Sequence, residues 1–284
     1  MLWTDPHPTL MTYLLVSAGT LAASWIGAWA AVRFPKRALQ AFVATFALFL
    51  VSIVINHASL AASTGSKTLF LWLKPFSVYV PVLLLAYVNL KLQDKDEVPI
   101  ALARLFSVIL SFNLLQTGLY GLDAPDLASG LYIALTLVIS LAALRLKWEV
   151  KSGVLGFTDK TFVIANLTCL SYLYLFLFPP GTGWLSWAIL LVPYIPASRM
   201  GHTWFAFRAY SLGIYLIFTH TLGLVHFYRA LPVEIAELMA DLKRSPLPGL
   251  VLLAGAVSVA FLVHAQIRQL RARELTNAKS PATP

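Results

Sequence analysis

Five polar side chains interrupt the long apolar stretches of this sequence and are the first candidates for chemistry. They are Asn56, His57, Lys74, His220 and His226. All five fall near the predicted outer ends of their stretches, at similar depth, and intramembrane ionisable groups mark ligand sites by default. They predict a partly cationic pocket for an anionic headgroup, a lipid-linked phosphate or a quinone. The alternative is a snorkelling lysine and hydrogen-bonded histidines that only pack.

Two of these histidines are the candidates for a cofactor. His57 and His220 lie at comparable predicted depth, so a shared haem b is geometrically possible. The sequence offers no second matched pair, and His220 and His226 project about 240° apart around a helix. The single cysteine, Cys169, allows no intrachain disulfide and no cysteine-based metal cluster. We therefore expect no cofactor and no metal.

A second group of candidates follows the seventh apolar stretch. It comprises Arg199, His202 and Arg208, with Gly201 interrupting the chain, and is interpreted as a basic loop on the inner side. The string GHTWFAFRAYS, residues 201–211, resembles a segment of membrane-bound O-acyltransferases in which small and aromatic residues precede a span. The resemblance implies transfer chemistry on a membrane substrate and assigns no catalytic residue in this chain.

Composition indicates the class of protein that must position these residues. Of 284 residues, 59% are apolar and 12% are charged, against about 45–50% and about 25% in soluble domains. These values exclude a soluble enzyme with a modest core, a disordered chain, a collagen-like chain and a disulfide scaffold. The class that remains is a polytopic integral membrane protein with little mass outside the bilayer.

Nine stretches are long and apolar enough for spanning helices, which need about 20 residues. They cover residues 11–32, 38–60, 69–90, 105–122, 127–144, 161–179, 184–198, 204–228 and 249–267. The seventh is short and contains Pro193 and Pro196, which makes it the weakest of the nine. Because helices satisfy their own backbone hydrogen bonds in lipid, the sequence predicts an all-α transmembrane helix bundle.

The distribution of basic residues predicts the orientation of this bundle. With the N-terminus outside, sixteen of the 21 Lys and Arg residues fall on the inner side and four on the outer side. Inner loops carry such an excess, so we expect the C-terminus inside, in a bacterial cytoplasmic (inner) membrane. The net charge of +9 then requires no nucleic acid. The expected partner is the lipid bilayer, with a membrane-protein partner or a homo-oligomer left open.

The chain is predicted to form one membrane domain over residues 1–275 without a soluble module. Within it, residues 232–244 predict an amphipathic helix on the outer surface, with Leu238 and Met239 on its apolar face. Residues 276–284 are polar, contain two prolines, and are predicted to be a disordered tail.

Three functions remain open at this stage. All twelve Asp and Glu residues fall outside the predicted spans, whereas proton- and cation-coupled carriers place carboxylates inside them. Together with the missing catalytic motifs, this favours a non-catalytic accessory, assembly or scaffold subunit of a membrane complex. The alternatives are a transporter or flippase for an anionic or lipid-linked solute, and a membrane-embedded transferase acting on a lipid-linked or surface-polysaccharide substrate.

Overall fold

The computed structural model describes residues 8–64, 68–123, 126–178, 180–191, 203–222 and 224–279. The helices are α1 (Leu10–Arg33), α2 (Pro35–Thr64), α3 (Thr68–Lys91), α4 (Ile100–Gly118), α5 (Leu127–Ala143), α6 (Lys160–Tyr172), α7 (Pro180–Leu191), α8 (Trp204–Thr221), α9 (Leu224–Arg229), α10 (Val233–Arg244) and α11 (Leu247–Lys279). A 3₁₀ turn (Leu119–Asp123) follows α4, and a π turn (Leu173–Leu177) continues α6.

The prediction of a helical protein is confirmed. Within the part of the chain that the structure describes, four helical segments are long and apolar enough to cross a membrane: Leu10–Arg33, Ile100–Leu122, Lys160–Leu177 and Leu247–Ala272. The count of nine spans and the orientation stay predictions. The seventh predicted span is described as far as Leu191, and its two prolines lie outside the described residues.

Side-chain caps fix where several helices begin. The Thr9 hydroxyl accepts a hydrogen bond from the Thr12 backbone N–H at the start of α1. Asp126 caps α5 through the Ser129 N–H in the same way. Each cap satisfies a backbone donor that has no partner within its own helix, so these short polar residues define the boundaries of long apolar helices.

A two-stranded hairpin, which the sequence did not predict, lies between α5 and α6. Strands β1 (Glu149–Lys151) and β2 (Val154–Gly156) pair antiparallel. Ser152 and Gly153 form the two-residue turn, with φ of 53° and 71°, and such turns match the twist of the flanking strands. Three paired positions are too few to give a clear alternating pattern in the sequence.

The hairpin is anchored to the helices by buried hydrogen bonds. Trp148 Nε1 donates to Ser107 Oγ of α4 over 2.7 Å. The Leu155 N–H donates to Asn89 Oδ1 over 3.0 Å, and Asn89 Nδ2 donates to the Tyr210 hydroxyl over 3.0 Å. Asn89 therefore joins α3, the hairpin and α8 at one end of the bundle.

Helix α8 is central to the packing. It contacts α1, α2, α3, α7, α9 and β2, while α4, α5, α6 and α11 pack beside one another. Aromatic side chains fill the interior next to α8; the rings of Phe42 and Tyr210 stack with centroids 5.9 Å apart. The functional candidates on α8 are therefore surrounded by other helices.

Helix α10 falls on the predicted amphipathic segment. Met239 is buried but Leu238 is 57% exposed. The place of this helix on the outer membrane surface stays a prediction.

Helix α11 extends beyond the predicted start of the disordered tail. It runs to Lys279, four residues into that tail. Asn, Ala and Lys can continue a helix that is already formed. Residues 280–284 lie outside the described part.

Candidate functional site

The outer candidate residues are distributed over four helices. Asn56 and His57 lie on α2, Lys74 on α3, His220 on α8 and His226 on α9. Helices α2, α3 and α8 pack against one another, and α9 packs against α8. The side chains of all five residues lie outside the described part of the chain, so their meeting in one pocket stays a prediction.

Arg208 is the inner candidate that the structure describes, since Arg199 and His202 lie outside the described residues. It lies on α8, one turn after the helix begins, rather than in a loop. Its neighbours Ala206 and Phe207 are buried. An apolar and aromatic stretch of this kind forms a packed helix, and the arginine is carried into the bundle with it.

The Arg208 guanidinium lies between helices, and the described part of the chain offers it no charged partner. Its Cζ is 5.2 Å from the centre of the Trp204 ring, within range of a cation–π interaction. Its Nη1 is buried and has no hydrogen-bond partner, and no carboxylate of the described residues pairs with it. Arg208 thus brings a positive charge into the helix bundle, and the indole ring is its main electrostatic support.

A small cavity lies against this guanidinium. Its volume is about 10 Å³, which is room for about one water molecule. It is lined by Tyr174, Ser186, Ile189, Leu190, Arg208 and Leu212. Tyr174 belongs to the π turn, in which the Phe178 N–H donates to the Leu173 carbonyl over 2.8 Å. Such turns are rare and frequently occur at functional sites.

Further buried donors lie at the beginning of α8. Trp204 Nε1 and Thr203 Oγ1 have no hydrogen-bond partner among the residues that the structure describes, and the two residues are 1% and 2% exposed. Trp204 and Arg208 are four residues apart and therefore share a helix face. An unpaired buried donor costs about 1–3 kcal/mol, so this face of α8 offers several donors to a hydrogen-bond acceptor.

A row of hydroxyl and indole groups continues from the cavity through α1, α7, α8 and α9. Tyr215 hydrogen-bonds Ser186, and the Tyr13 hydroxyl accepts from Trp184 Nε1 over 2.7 Å. The hydroxyls of Tyr228 and Thr20 lie 2.6 Å apart. The interior around α8 is therefore polar over much of its length, although it contains no carboxylate among the residues that the structure describes.

The sequence indicates Arg208 as a candidate but not the residues around it. Tyr174, Ser186, Trp204 and Tyr215 were passed over because such side chains are ordinary in apolar helices. The available signal was the four-residue spacing of Trp204 and Arg208 inside an aromatic stretch. It places a cation over an indole face when the segment is helical.

The arrangement around Arg208 combines one cation, several hydrogen-bond donors and apolar walls. A guanidinium binds carboxylate or phosphate oxygens through paired N–H groups, and hydroxyl and indole donors strengthen the binding of the same oxygens. The chemistry that fits this set is recognition of an anionic group. No protein family, curated protein or solved structure matches this chain.

Proposed function

We propose that this chain is a nine-span integral membrane protein of the bacterial cytoplasmic membrane that binds and moves an anionic or lipid-linked solute. The observation that carries the proposal is the Arg208 guanidinium, enclosed in the bundle without a carboxylate partner among the described residues. Four helical segments long and apolar enough to cross a membrane support the setting.

A charge enclosed among helices is unfavourable unless it is compensated. Removing an ion from water costs several kcal/mol even after relaxation, unless an opposite charge and hydrogen bonds compensate it. All twelve acidic residues of this chain fall outside the predicted spans. The compensating negative charge for Arg208 is then supplied by a ligand, which is the usual reason for an intramembrane cation.

The geometry also indicates how a solute passes. A cavity of about 10 Å³ is far smaller than ligand sites of roughly 300–1,000 Å³. Helix α7 and the π turn form one wall and α8 the other, so the two walls separate when a solute enters. Helix ends and interruptions near a binding site are common in transporters, and the π turn beside Arg208 is such an interruption.

The predicted orientation has support from the ends of the helices. Gln266 of α11 donates to the Ala142 carbonyl at the end of α5 over 3.4 Å, and Gln266 lines a cavity together with Glu149 of the hairpin. Arg145, Lys147 and Lys160 are exposed there. This is the end that the positive-inside rule assigns to the cytoplasm.

The experiment compares Arg208→Met with Arg104→Met, which removes an exposed arginine from α4. Each full-length variant is reconstituted in vesicles that contain fluorescent phosphatidylglycerol, and translocation is followed by quenching of the outer leaflet. We expect loss of translocation in Arg208→Met and normal translocation in Arg104→Met. Fluorescent phosphatidylcholine, which has no net charge, should move more slowly with the unmodified protein.

Thermal unfolding of the same proteins separates a binding role from a structural one. Because Arg208 has no acid partner among the described residues, replacing it by methionine should raise stability, by about 1–4 kcal/mol. If Arg208→Met instead lowers stability and translocates phosphatidylglycerol normally, the assignment of Arg208 as an anion contact is wrong.

An accessory-subunit role is the second candidate, and α10 is the observation that favours it. Val233 and Leu238 are exposed on this amphipathic helix, while Met239 anchors it to the bundle. A partner helix could cover that exposed edge. In mild detergent, a stoichiometric partner should copurify with the unmodified chain and with Arg208→Met, but not with Leu238→Asp. Retention of that partner by Leu238→Asp would exclude α10 as the contact.

A further inference from the structure

A wide groove opens where α5, the hairpin, α6 and α11 meet, away from the Arg208 cavity. Its volume is about 830 Å³, within the range of sites that hold small ligands. The lining residues that matter for binding are Arg145, Lys147, Lys160, Thr161, Gln266 and Gln269. These side chains supply three positive charges, one hydroxyl and two amides.

The three cations of the groove are free to bind a ligand. Arg145, Lys147 and Lys160 are exposed, and none of them forms an ion pair with a described residue. Arg145 and Lys147 lie in the connection between α5 and β1, and Lys160 is the first residue of α6. The fold therefore brings a cation from a second segment to two that are already close in sequence.

The two acidic residues of the groove are already engaged. Glu149 Oε2 lies 2.9 Å from Lys151 Nζ. Asp159 Oδ1 accepts from the Phe162 N–H over 3.0 Å and from the Thr161 hydroxyl over 2.6 Å. Lys151 thereby partly neutralises Glu149, and Asp159 is directed to the N-terminus of α6. The potential in the groove is therefore set mainly by its three cations.

The position of the groove indicates where its ligand lies. Two helical segments long enough to cross a membrane, Lys160–Leu177 and Leu247–Ala272, both have an end at the groove. Ile164, one turn into α6, is exposed beside it, and Leu270 is an exposed lining residue. The groove therefore has a charged floor at the membrane surface and apolar side chains next to it.

We propose that this groove binds a phosphate-bearing anion at the membrane surface. Basic pockets between spanning helices on the cytoplasmic side bind phosphorylated headgroups, and guanidinium and ammonium groups are the usual phosphate ligands. The phosphate belongs either to an anionic lipid or to a soluble phosphate ester. The site is separate from the solute contact at Arg208, so it does not depend on the proposed transport activity.

The test measures binding of phosphatidylglycerol to the full-length protein in detergent micelles. One triple variant, Arg145→Gln/Lys147→Gln/Lys160→Gln, removes the cations of the groove. A matched control, Arg33→Gln/Lys36→Gln/Arg37→Gln, removes three exposed cations from the α1–α2 connection, on the same predicted side. We expect the groove variant to bind at least about tenfold more weakly and the control to bind nearly as well as the unmodified protein.

A competition measurement and a charge-retaining variant complete the test. Inorganic phosphate and glycerol 3-phosphate are added as competitors; competition at millimolar concentration assigns the groove to soluble phosphates, and its absence assigns it to the lipid. A charge-retaining variant, Arg145→Lys/Lys147→Arg/Lys160→Arg, should bind within a few-fold of the unmodified protein. Equal weakening in the groove and control variants, or no weakening in either, would overturn the proposal.

Discussion

Replacing Asn89 by leucine should detach the hairpin from the bundle. The Asn89 side chain is 1% exposed and uses both of its polar atoms. Its oxygen accepts from the Leu155 N–H and its nitrogen donates to the Tyr210 hydroxyl, each over 3.0 Å. Leucine has nearly the same size, so the change removes two hydrogen bonds and little volume.

The expected loss of folding stability follows from the polar groups that Asn89→Leu leaves unpaired. Leu155 and Tyr210 are both fully buried, and one buried polar group without a partner costs about 1–3 kcal/mol. Two such groups, offset in part by burial of the leucine side chain, give a loss of about 2–4 kcal/mol. At roughly 2–4 °C per kcal/mol for a chain of this size, the midpoint of thermal unfolding should fall by about 5–15 °C.

The assay combines thermal unfolding in detergent with hydrogen exchange of residues 149–156. Unfolding gives the total effect, and exchange shows whether the loss is concentrated in the hairpin. A double-mutant cycle with Tyr210→Phe isolates the buried network. The double variant leaves only the Leu155 N–H unpaired, so its destabilisation should be smaller than the sum of the single effects by about 1 kcal/mol or more.

Two results would refute this reasoning. Additivity of the two substitutions within about 0.5 kcal/mol would mean that Asn89 and Tyr210 do not share a hydrogen bond. A lower midpoint with unchanged exchange in residues 149–156 would mean that Asn89 stabilises α3 and α8 but does not hold the hairpin.

Three further predictions follow from single residues. The Ser129 N–H lowers the pKa of the Asp126 carboxyl, so the cap stabilises α5 above the ordinary carboxyl pKa and is lost as pH falls through the lowered one. Asp126→Ala should therefore reduce the unfolding midpoint at neutral pH; the difference from the unmodified protein should begin to shrink below about pH 4 and vanish only below the lowered pKa, and a constant difference would contradict this. Gly153→Ala should cost about 1–3 kcal/mol, because φ is 71° and a Cβ would lie 2.9 Å from Gln93 Cα; denaturant unfolding measures it, and a neutral effect would disprove the turn. Asn166→Leu should stabilise by about 1–3 kcal/mol, since both amide atoms are buried without partners in the described part of the chain; a lower unfolding midpoint would show that the amide is paired.

The helical architecture was predictable because the apolar stretches are long and their ends carry clear signals. Asp126 and Asp159, each just before an apolar run, cap α5 and α6 as short acidic residues do. The hairpin was not predictable, since its three paired positions depend on Asn89 and Ser107, which are distant in sequence. Long-range partners of this kind leave no local pattern.

The candidate sites, too, could be predicted only in part from the sequence. The sequence identified Arg208 as a candidate, but as part of a basic loop; its enclosure by Tyr174, Ser186 and Trp204 depends on how α6, α7 and α8 pack. The groove cations Arg145, Lys147 and Lys160 were interpreted only as a topological signal. Their convergence on one groove requires α11 to lie against α5 and α6, which composition does not encode.

The alkylation rate of the single cysteine can report how often two helices separate. Cys169 is 1% exposed, and its Sγ lies beside Gly255, where α6 meets α11. A thiol-alkylating reagent reaches it only when these two helices separate. The labelling rate then reports the frequency of that opening, as amide exchange does for a backbone N–H. Movements of the α6–α11 contact during ligand binding can therefore be timed in the unmodified chain, without an engineered label.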